Sequence, residues 1–451
     1  MSATAVASEP AAVPPPLATP SLPPGPRMPS ALQAIGWVYR PQPILDRWRR
    51  EHGDMFTMRI PSEPPWVMLS DPEAVKTVFR GDPRLLHAGA ANEILRPVVG
   101  DHSILLLDEA THMKARKLLL PPFHGERMQR HQATMEAAAR REVERWPLGE
   151  TFALHPRMQA LTLEVIVRVV FGVTDQARFE RLRDALNRFL DTSLELRTII
   201  GFTVLGPARM RDMPFFRNLL QPVQDLLVEE IRARRGAPDL AERDDVLSML
   251  VQAHHDDGTP MGDEELRDEL MTLLIAGHET TATALAWALE RLVRNPAQYG
   301  RLRAAVREGG DDEYVDAVIQ ETLRRKPVLP IVLRLLKEPM EIGGRLLPAG
   351  VAVAPSIHLI HHREDIYPEP FAFRPERFLE QAPGTYTWIP FGGGVRRCLG
   401  ASFALLEMKV VLRAVLQTLD LAPASPAPER ITRRLITWTP ARGGEVVARA
   451  A

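Results

Sequence analysis

Apolar residues recur every three to four positions over most of this chain, and strand-like alternation is confined to a few short runs. The first pattern is that of amphipathic helices, the second of half-buried strands. Helices are expected over residues 31–50, 125–145, 158–171, 177–196, 214–235, 296–308 and 313–325. The run 158–171 is apolar on nearly every side, which marks it as buried. In 31–50 the candidate core contacts are Leu32, Ile35, Trp37 and Ile44. Longest of all is 263–295, bounded by Gly262 and by Asn295-Pro296. At 1.5 Å per residue it spans about 50 Å, the width of a whole domain.

Residues 55–60 and 66–69 read as a hairpin around a proline-rich turn, and Asp71-Pro72 as a helix start. Runs 340–342, 345–347 and 351–353, with Gly343-Gly344 between the first two, predict a second β region. A last strand pair is expected at 435–438 and 445–448. The stretch 82–108 is loop-rich and long enough to be functional. Residues 198–205 form an apolar interval between two amphipathic helices, either a turn in the core or a lid over a substrate entrance. No internal repeat is present. The fold class is mostly α with a small β region.

Composition narrows the picture. Of 451 residues 45% are hydrophobic and 25% charged, enough for a large core. A net charge of −1 gives no global field for nucleic acid or an anionic membrane. The single cysteine excludes an intramolecular disulfide framework and a multi-cysteine zinc site, and points to a reducing cytoplasm. Proline is concentrated at the start. Residues 1–27 are expected to be a disordered Pro/Ala-rich leader and 28–451 the folded domain. The leader lacks the basic and continuously apolar regions of a signal peptide. No run reaches the roughly 18 apolar residues needed to cross a bilayer.

The lone cysteine carries the chemistry. Cys398 lies in Phe391-Gly-Gly-Gly394-Val-Arg396-Arg-Cys398-Leu-Gly400. A thiolate there can be the axial ligand of a haem iron, donating electron density that favours O–O cleavage. Gly394 permits backbone angles closed to other residues. Phe391 can cover the sulfur, Arg396 can meet a haem propionate with a planar fork of donors, and Gly400 lets the next helix start close to the porphyrin. The bland alternative is an inert buried cysteine beside a glycine turn. Five fixed positions of F-x-x-G-x-R-x-C-x-G weigh against it.

Mid-way along the longest helix lies Ala276-Gly277-His278-Glu279-Thr280-Thr281. A glycine and two threonines there cost stability. Thr280 can turn its hydroxyl to the Ala276 carbonyl, opening a groove that can hold O2, and Glu279 can relay protons to it. His278 is assigned to packing or a polar contact, because a second protein ligand would block the oxygen site. Glu321-Thr-Leu-Arg324 places a carboxylate and a guanidinium on one helical face, and Arg377, in Pro375-Glu-Arg-Phe378, can complete a structural triad. His112 and Arg116, one helical turn apart, can join Arg334 and Arg396 around two propionates. Each of these cations alone reads more readily as a solvated surface residue than as a propionate partner.

Together the cysteine loop, A-G-x-E-T-T, E-x-x-R and P-E-R-F resemble the cytochrome P450 family, in the same order and spacing. The resemblance covers the chain from about Arg27 onward. It implies a single-domain, mostly helical P450 fold, its long central helix crossing over a b-type haem ligated by Cys398. Ala276 and Gly277 would then lie against the cofactor, and Glu279 and Thr280 would be the acid–alcohol pair of catalysis. The resemblance places Leu274, Ala276, Leu329, Ile331, Val332 and Ile436 against a hydrophobic substrate such as a fatty acid, terpenoid, steroid or polyketide-like molecule. The implied reaction is monooxygenation with O2 by a soluble, cytoplasmic, monomeric enzyme of bacterial type. Its electrons would come from NAD(P)H through a separate ferredoxin or flavodoxin and its reductase, docking where Arg396, Arg397, Lys409 and Arg413 offer positive charge. Two other readings are a peroxide-driven haem hydroxylase and a non-enzymatic haem sensor.

Overall fold

The 31-residue helix Asp263–Val293 organises the molecule. Asp263, Glu264 and Glu265 in its first turn complement the positive end of its dipole. Asn295-Pro296 then stops it, and Pro296 opens the next helix, Pro296–Glu308, at a position where its missing N–H is not needed. Leu266, Leu270, Leu285, Leu289 and Leu292 are fully buried, each contributing about 1.5–3 kcal/mol relative to exposure. The helix packs most extensively on Leu154–Val169, and then on Pro214–Arg235 and Ala401–Thr418. The computed structural model describes residues 19–451 except 124, 126, 174, 194–208, 210–212 and 435. The apolar interval 198–205 lies outside the described residues.

A second layer is a five-stranded sheet in the order Met55–Met58, Trp66–Leu69, Ala352–Pro355, Arg334–Leu336, Leu86–His87. Trp66–Leu69 and Ala352–Pro355 pair in parallel; the other neighbours are antiparallel. The sheet core holds Val67, Leu69, Val353 and Ile357, separate from the larger helical core. The structure thus has mostly helical layers with small sheets, in one domain.

Most expected elements are present within a residue or two, and four expectations need correction. The strands near the C-terminus do not pair with each other. Thr437–Pro440 pairs with Ile431–Arg434, while Glu445–Ala450 joins Leu419–Pro423 and Thr151–Ala153. Alternation locates a strand but not its partner. Residues 351–353 likewise belong to the five-stranded sheet, not to the hairpin Met340–Ile342/Arg345–Leu347. The leader boundary at 27 moves earlier: Ser21 N donates to Leu346 O (3.0 Å) and Thr57 N to Pro24 O (3.0 Å). Gly25 lies so close to Thr57 that a Cβ would sit 2.0 Å from its carbonyl oxygen. Finally, 31–50 is two helices, Ser30–Tyr39 and Pro41–His52, and Leu32 and Ile35 face solvent.

Candidate functional site

The cysteine loop is set by close packing against the helix Pro72–Arg80. Gly394 has φ +65°, and a Cβ there would lie 2.0 Å from the Phe79 carbonyl oxygen; one at Gly393 would strike the Phe79 ring. These glycines therefore serve the approach of loop to helix. Cys398 N donates to Phe391 O (3.0 Å), closing the turn, and the Phe391 ring packs edge-on to Trp388. The next helix, Ala401–Thr418, starts at Gly400, around which a Cβ would meet nothing. Cys398 is exposed, yet desolvation by surrounding protein raises its thiol pKa, against the pull of Arg397 and Arg116. The thiol is therefore reachable by solvent while closely surrounded by protein.

Around that loop the structure gathers the four expected cations. His112 and Arg334 are buried. Burial, then Arg396, Arg116 and Arg334, hold the His112 pKa down at about 3, so its ring is neutral. Arg334, on the strand Arg334–Leu336, donates to its neighbour's carbonyl, Leu333 O (2.7 Å). Burial and then Arg396 lower its pKa to about 10. Arg396 turns inward, donating to Ile104 O (3.2 Å), Leu107 O and the Asp108 carboxylate (2.6 Å). Desolvation and Cys398 are the main influences on Arg116.

This arrangement fits a haem. Three guanidiniums and an imidazole crowd one region beside the Asp108 carboxylate, and two propionates would supply further negative charge. The thiol is the soft donor that iron accepts.

On the central helix, Thr280 Oγ1 donates to Ala276 O (2.5 Å). Ala276 is exposed in the middle of a helix whose neighbours are mostly buried, so this turn faces open space. Gly277 does not: a Cβ there would lie 2.7 Å from Ile166 Cδ1, and the residue serves the packing of Leu154–Val169 on the central helix. Leu274 is likewise wholly buried in the helical core and not at an open surface. His278 is buried, its Nδ1 3.0 Å from Thr162 Oγ1.

Glu279 is buried and anchored from two other elements. Its Oε2 accepts from Gln159 (2.7 Å), while Oε1 lies 3.5 Å from His155 Nε2 and 3.3 Å from Arg434 Nε. Burial alone would raise its pKa, but His155 and Arg434 outweigh it, and the net shift is downward. Sequence reasoning missed Gln159, His155, Arg434 and Asp108, because each comes from an element remote in the chain with no motif of its own. It also missed Glu407, fully buried, whose carboxyl pKa burial pushes well up, with the nearby Thr281 opposing the shift. Its one signal was a carboxylate on the inner face of the helix that follows Cys398.

Val328, Leu329, Ile331 and Val332 are half-buried, Val328 against the helical core, Leu329 and Val332 against the sheet core and Ile331 in the cluster of Trp37 and Trp48; Val332 Cγ1 comes within 3.7 Å of a Cβ placed on Gly392. Ile436 is exposed at the turn of the hairpin Ile431–Arg434/Thr437–Pro440. The expected cationic docking face is smaller than the sequence implied. Lys409 pairs with Asp316 (2.8 Å) and Arg413 with Asp312, Arg396 points inward, and Arg397 remains exposed.

Behind the loop, Glu321, Arg324 and Arg377 do come together. Arg324 Nε lies 2.6 Å from Glu321 Oε2 and Arg377 Nε 3.2 Å from the same oxygen.

A helical fold with an interior thiol beside a cationic ring, and a notched helix through its centre, defines a haem-thiolate class of protein. Residues 20–444 match the Cytochrome P450 family. Cytochrome P450 135B1 of Mycobacterium tuberculosis is 41% identical over 434 residues, covering 95% of this chain and 92% of that protein. Cytochrome P450 135A1 of the same organism is 41% identical over 437 residues, covering 95% of each. The fold matches the cytochrome P450DA haem domain with a TM-score of 0.83 at 24% identity, covering 97% of this chain and 99% of that one. A retinoic-acid-bound cyanobacterial CYP120A1 follows at 0.82 and 22%, covering 96% and 100%. The chain belongs to the cytochrome P450 family and is a P450 monooxygenase. Among the described residues no helix is long and apolar enough to cross a membrane.

Proposed function

We propose that this enzyme inserts one oxygen atom of O2 into a hydrophobic small molecule, of the fatty acid, terpenoid, steroid or polyketide-like type. Its electrons come from NAD(P)H through a separate ferredoxin or flavodoxin and its reductase. The observation that carries the reading is the juxtaposition of an accessible thiol, Cys398, with the buried Arg334 and the neighbouring Arg396, Arg116 and His112, which share one nearby carboxylate, Asp108.

When bound, the haem supplies activation of O2 at its iron. Cys398 is the residue that would hold the iron, and Arg334, Arg396, Arg116 and the neutral His112 would hold the propionates. The chain's own part is to place protons and exclude water. Because the Thr280 hydroxyl donates to Ala276 O, its oxygen is left to accept a hydrogen bond from a water or hydroxyl in the groove. Glu279, ionised and tethered to Gln159, His155 and Arg434, is placed to take up a proton on one side of the helix and release it toward Thr280. The half-buried apolar run from Val328 to Val332 gives the substrate an apolar wall, which favours hydrophobic molecules.

The reduced protein with carbon monoxide should show the red-shifted absorption of a thiolate-ligated haem, and Cys398→Ala should abolish it. Turnover supported by a ferredoxin system with O2, and not by peroxide alone, is the expected outcome; peroxide-only activity would refute the electron route. Thr280→Ala should retain haem but divert electrons into hydrogen peroxide, and unchanged coupling of electron use to product would refute its role.

A further inference from the structure

Of the 56 lysines and arginines in the chain only six are lysine: Lys76, Lys114, Lys117, Lys326, Lys337 and Lys409. Lys326 alone of these is buried. It caps the helix Asp312–Arg325, and its Nζ lies 4.4 Å from the centre of the Trp287 ring. Among the described residues the ammonium makes no hydrogen bond or ion pair. Both carboxylates near it are engaged elsewhere. Glu290, on the central helix, accepts from Arg291 and Arg294. Glu429 accepts from the backbone N–H groups of Arg430 (3.0 Å), Arg442 (3.1 Å) and Gly444 (3.3 Å). Burial, then Arg325 and Arg291, hold the Lys326 pKa well below its ordinary value, against the opposing pull of Glu290 and Glu429.

The amine is not sealed in. It lines a surface pocket of about 660 Å³ together with Tyr39, Arg40, Gln42, Glu429 and Arg430. Arg40 and Arg430 are exposed, and neither guanidinium has a partner among the described residues. Two free guanidiniums and an amine around one pocket favour a ligand with both an anionic group and an electrophilic carbon. A lysine desolvated and set beside other cations is nucleophilic near neutral pH, whereas an arginine in its place keeps its proton. The product that suits the site carries no charge. An amide leaves nothing to repel Arg325 and Arg291, while an imine takes up a proton and restores the buried cation. Acyl transfer is therefore favoured over imine formation.

We propose that Lys326 is an acylation site for small acyl phosphates, its amine the nucleophile and Arg40 and Arg430 the hold on the phosphate. The Nζ lone pair attacks the acyl carbon and an N–C bond forms. The acyl C–O bond breaks, phosphate leaves with that electron pair, and one amine proton passes to the departing phosphate.

The test treats the full-length holoenzyme with acetyl phosphate and reads acetylation at all six lysines by mass spectrometry. At pH 7 Lys326 should react at least about tenfold faster than any of the other five, because an ordinary lysine has only about one amine in 2,500 unprotonated. Raising the pH to 9 should accelerate the others by up to about 100-fold and Lys326 far less. Excess inorganic phosphate, or Arg40→Gln with Arg430→Gln, should slow the reaction at Lys326 by about tenfold and leave the other sites unchanged. The double variant should keep the parent haem spectrum, because both side chains are exposed. Acetic anhydride, which carries no phosphate, should acetylate Lys326 equally in parent and double variant. The proposal is overturned if the other lysines match Lys326 at pH 7, or if its rate climbs with pH as theirs does. It is overturned equally if neither phosphate nor the double variant slows acetyl phosphate at Lys326, since nothing then holds the donor.

Discussion

Two clusters of buried arginine flank the cysteine loop, and they differ in how completely they are satisfied. Behind the loop, Arg324 is fully buried and every direction of its fork is used. It meets both oxygens of Glu321 (2.6 and 2.9 Å), His361 O (2.6 Å), Pro370 O (3.0 Å) and Ala372 O (3.3 Å). On the other side Arg334, also buried, donates to the carbonyl of its own neighbour and faces Arg396, with Asp108 as the countercharge. An arginine such as Arg324, whose donors all end on protein acceptors, is scaffold. A cluster that leaves cations crowded and short of anions is waiting for a ligand, because burying unpaired charge is otherwise costly.

The largest effect should come from breaking the closed cluster. Arg324→Ala leaves Glu321 buried without its main partner, and such losses cost about 3–5 kcal/mol. Urea unfolding should show that loss equally with and without haem. A loss confined to the haem-loaded protein would mean that this cluster, too, serves the cofactor.

The same contrast explains what could be read from the chain. E-x-x-R and P-E-R-F identify the closed cluster because Glu321 and Arg324 share one helix face. Even so, the carbonyls that complete it come from His361, the last residue of the short helix Ile357–His361, and from Pro370 and Ala372 in irregular backbone, and none has a periodic signal. The open cluster was legible as four cations, yet Asp108 was not, since nothing in the sequence ties a carboxylate ahead of the helix Glu109–Leu119 to the distant cysteine loop. Gly394 reads in the sequence as a position needing backbone freedom, and its φ is +65°, but the contact that also forbids a Cβ there, with Phe79, has no sequence signal. Local periodicity located helices, including the central one to within two residues. It could not tell that Leu32 and Ile35 face outward, because outward and inward apolar stripes have the same spacing. Strand partners at the C-terminus failed for a similar reason: pairing is decided by tertiary contacts.

A second, smaller effect tests the open cluster by sign. Arg334→Met removes a buried cation that has little to pair with, so the haem-free protein should lose less than about 1 kcal/mol or become more stable. Haem retention should fall about 10- to 100-fold, since a charge-assisted hydrogen bond contributes about 1.5–3 kcal/mol. Haem transfer to apomyoglobin measures the second quantity and urea unfolding the first. Equal destabilisation of both forms would make Arg334 a scaffold residue like Arg324.

The smallest effect separates two neutral histidines, one in each cluster. Burial, reinforced by the neighbouring arginines, holds the His112 pKa at about 3, below the ordinary value of 6.5. Burial and Arg324 also hold His361 well below it, with its Nε2 accepting from Ile389 N (2.9 Å). For both, the unfolded chain binds a proton that the fold excludes. Stability is therefore fully present above about pH 6.5 and declines as pH falls toward the folded value. Propionates beside His112 would favour its protonated form and raise its pKa, shrinking that decline; no such anion reaches His361. Haem-loaded protein should therefore lose less stability than haem-free protein between pH 6.5 and 4, by about 1 kcal/mol. His112→Gln should abolish the difference while His361→Gln leaves it. Identical acid sensitivity with and without haem would show that no carboxylate of the cofactor comes near His112, and the open cluster would need another ligand.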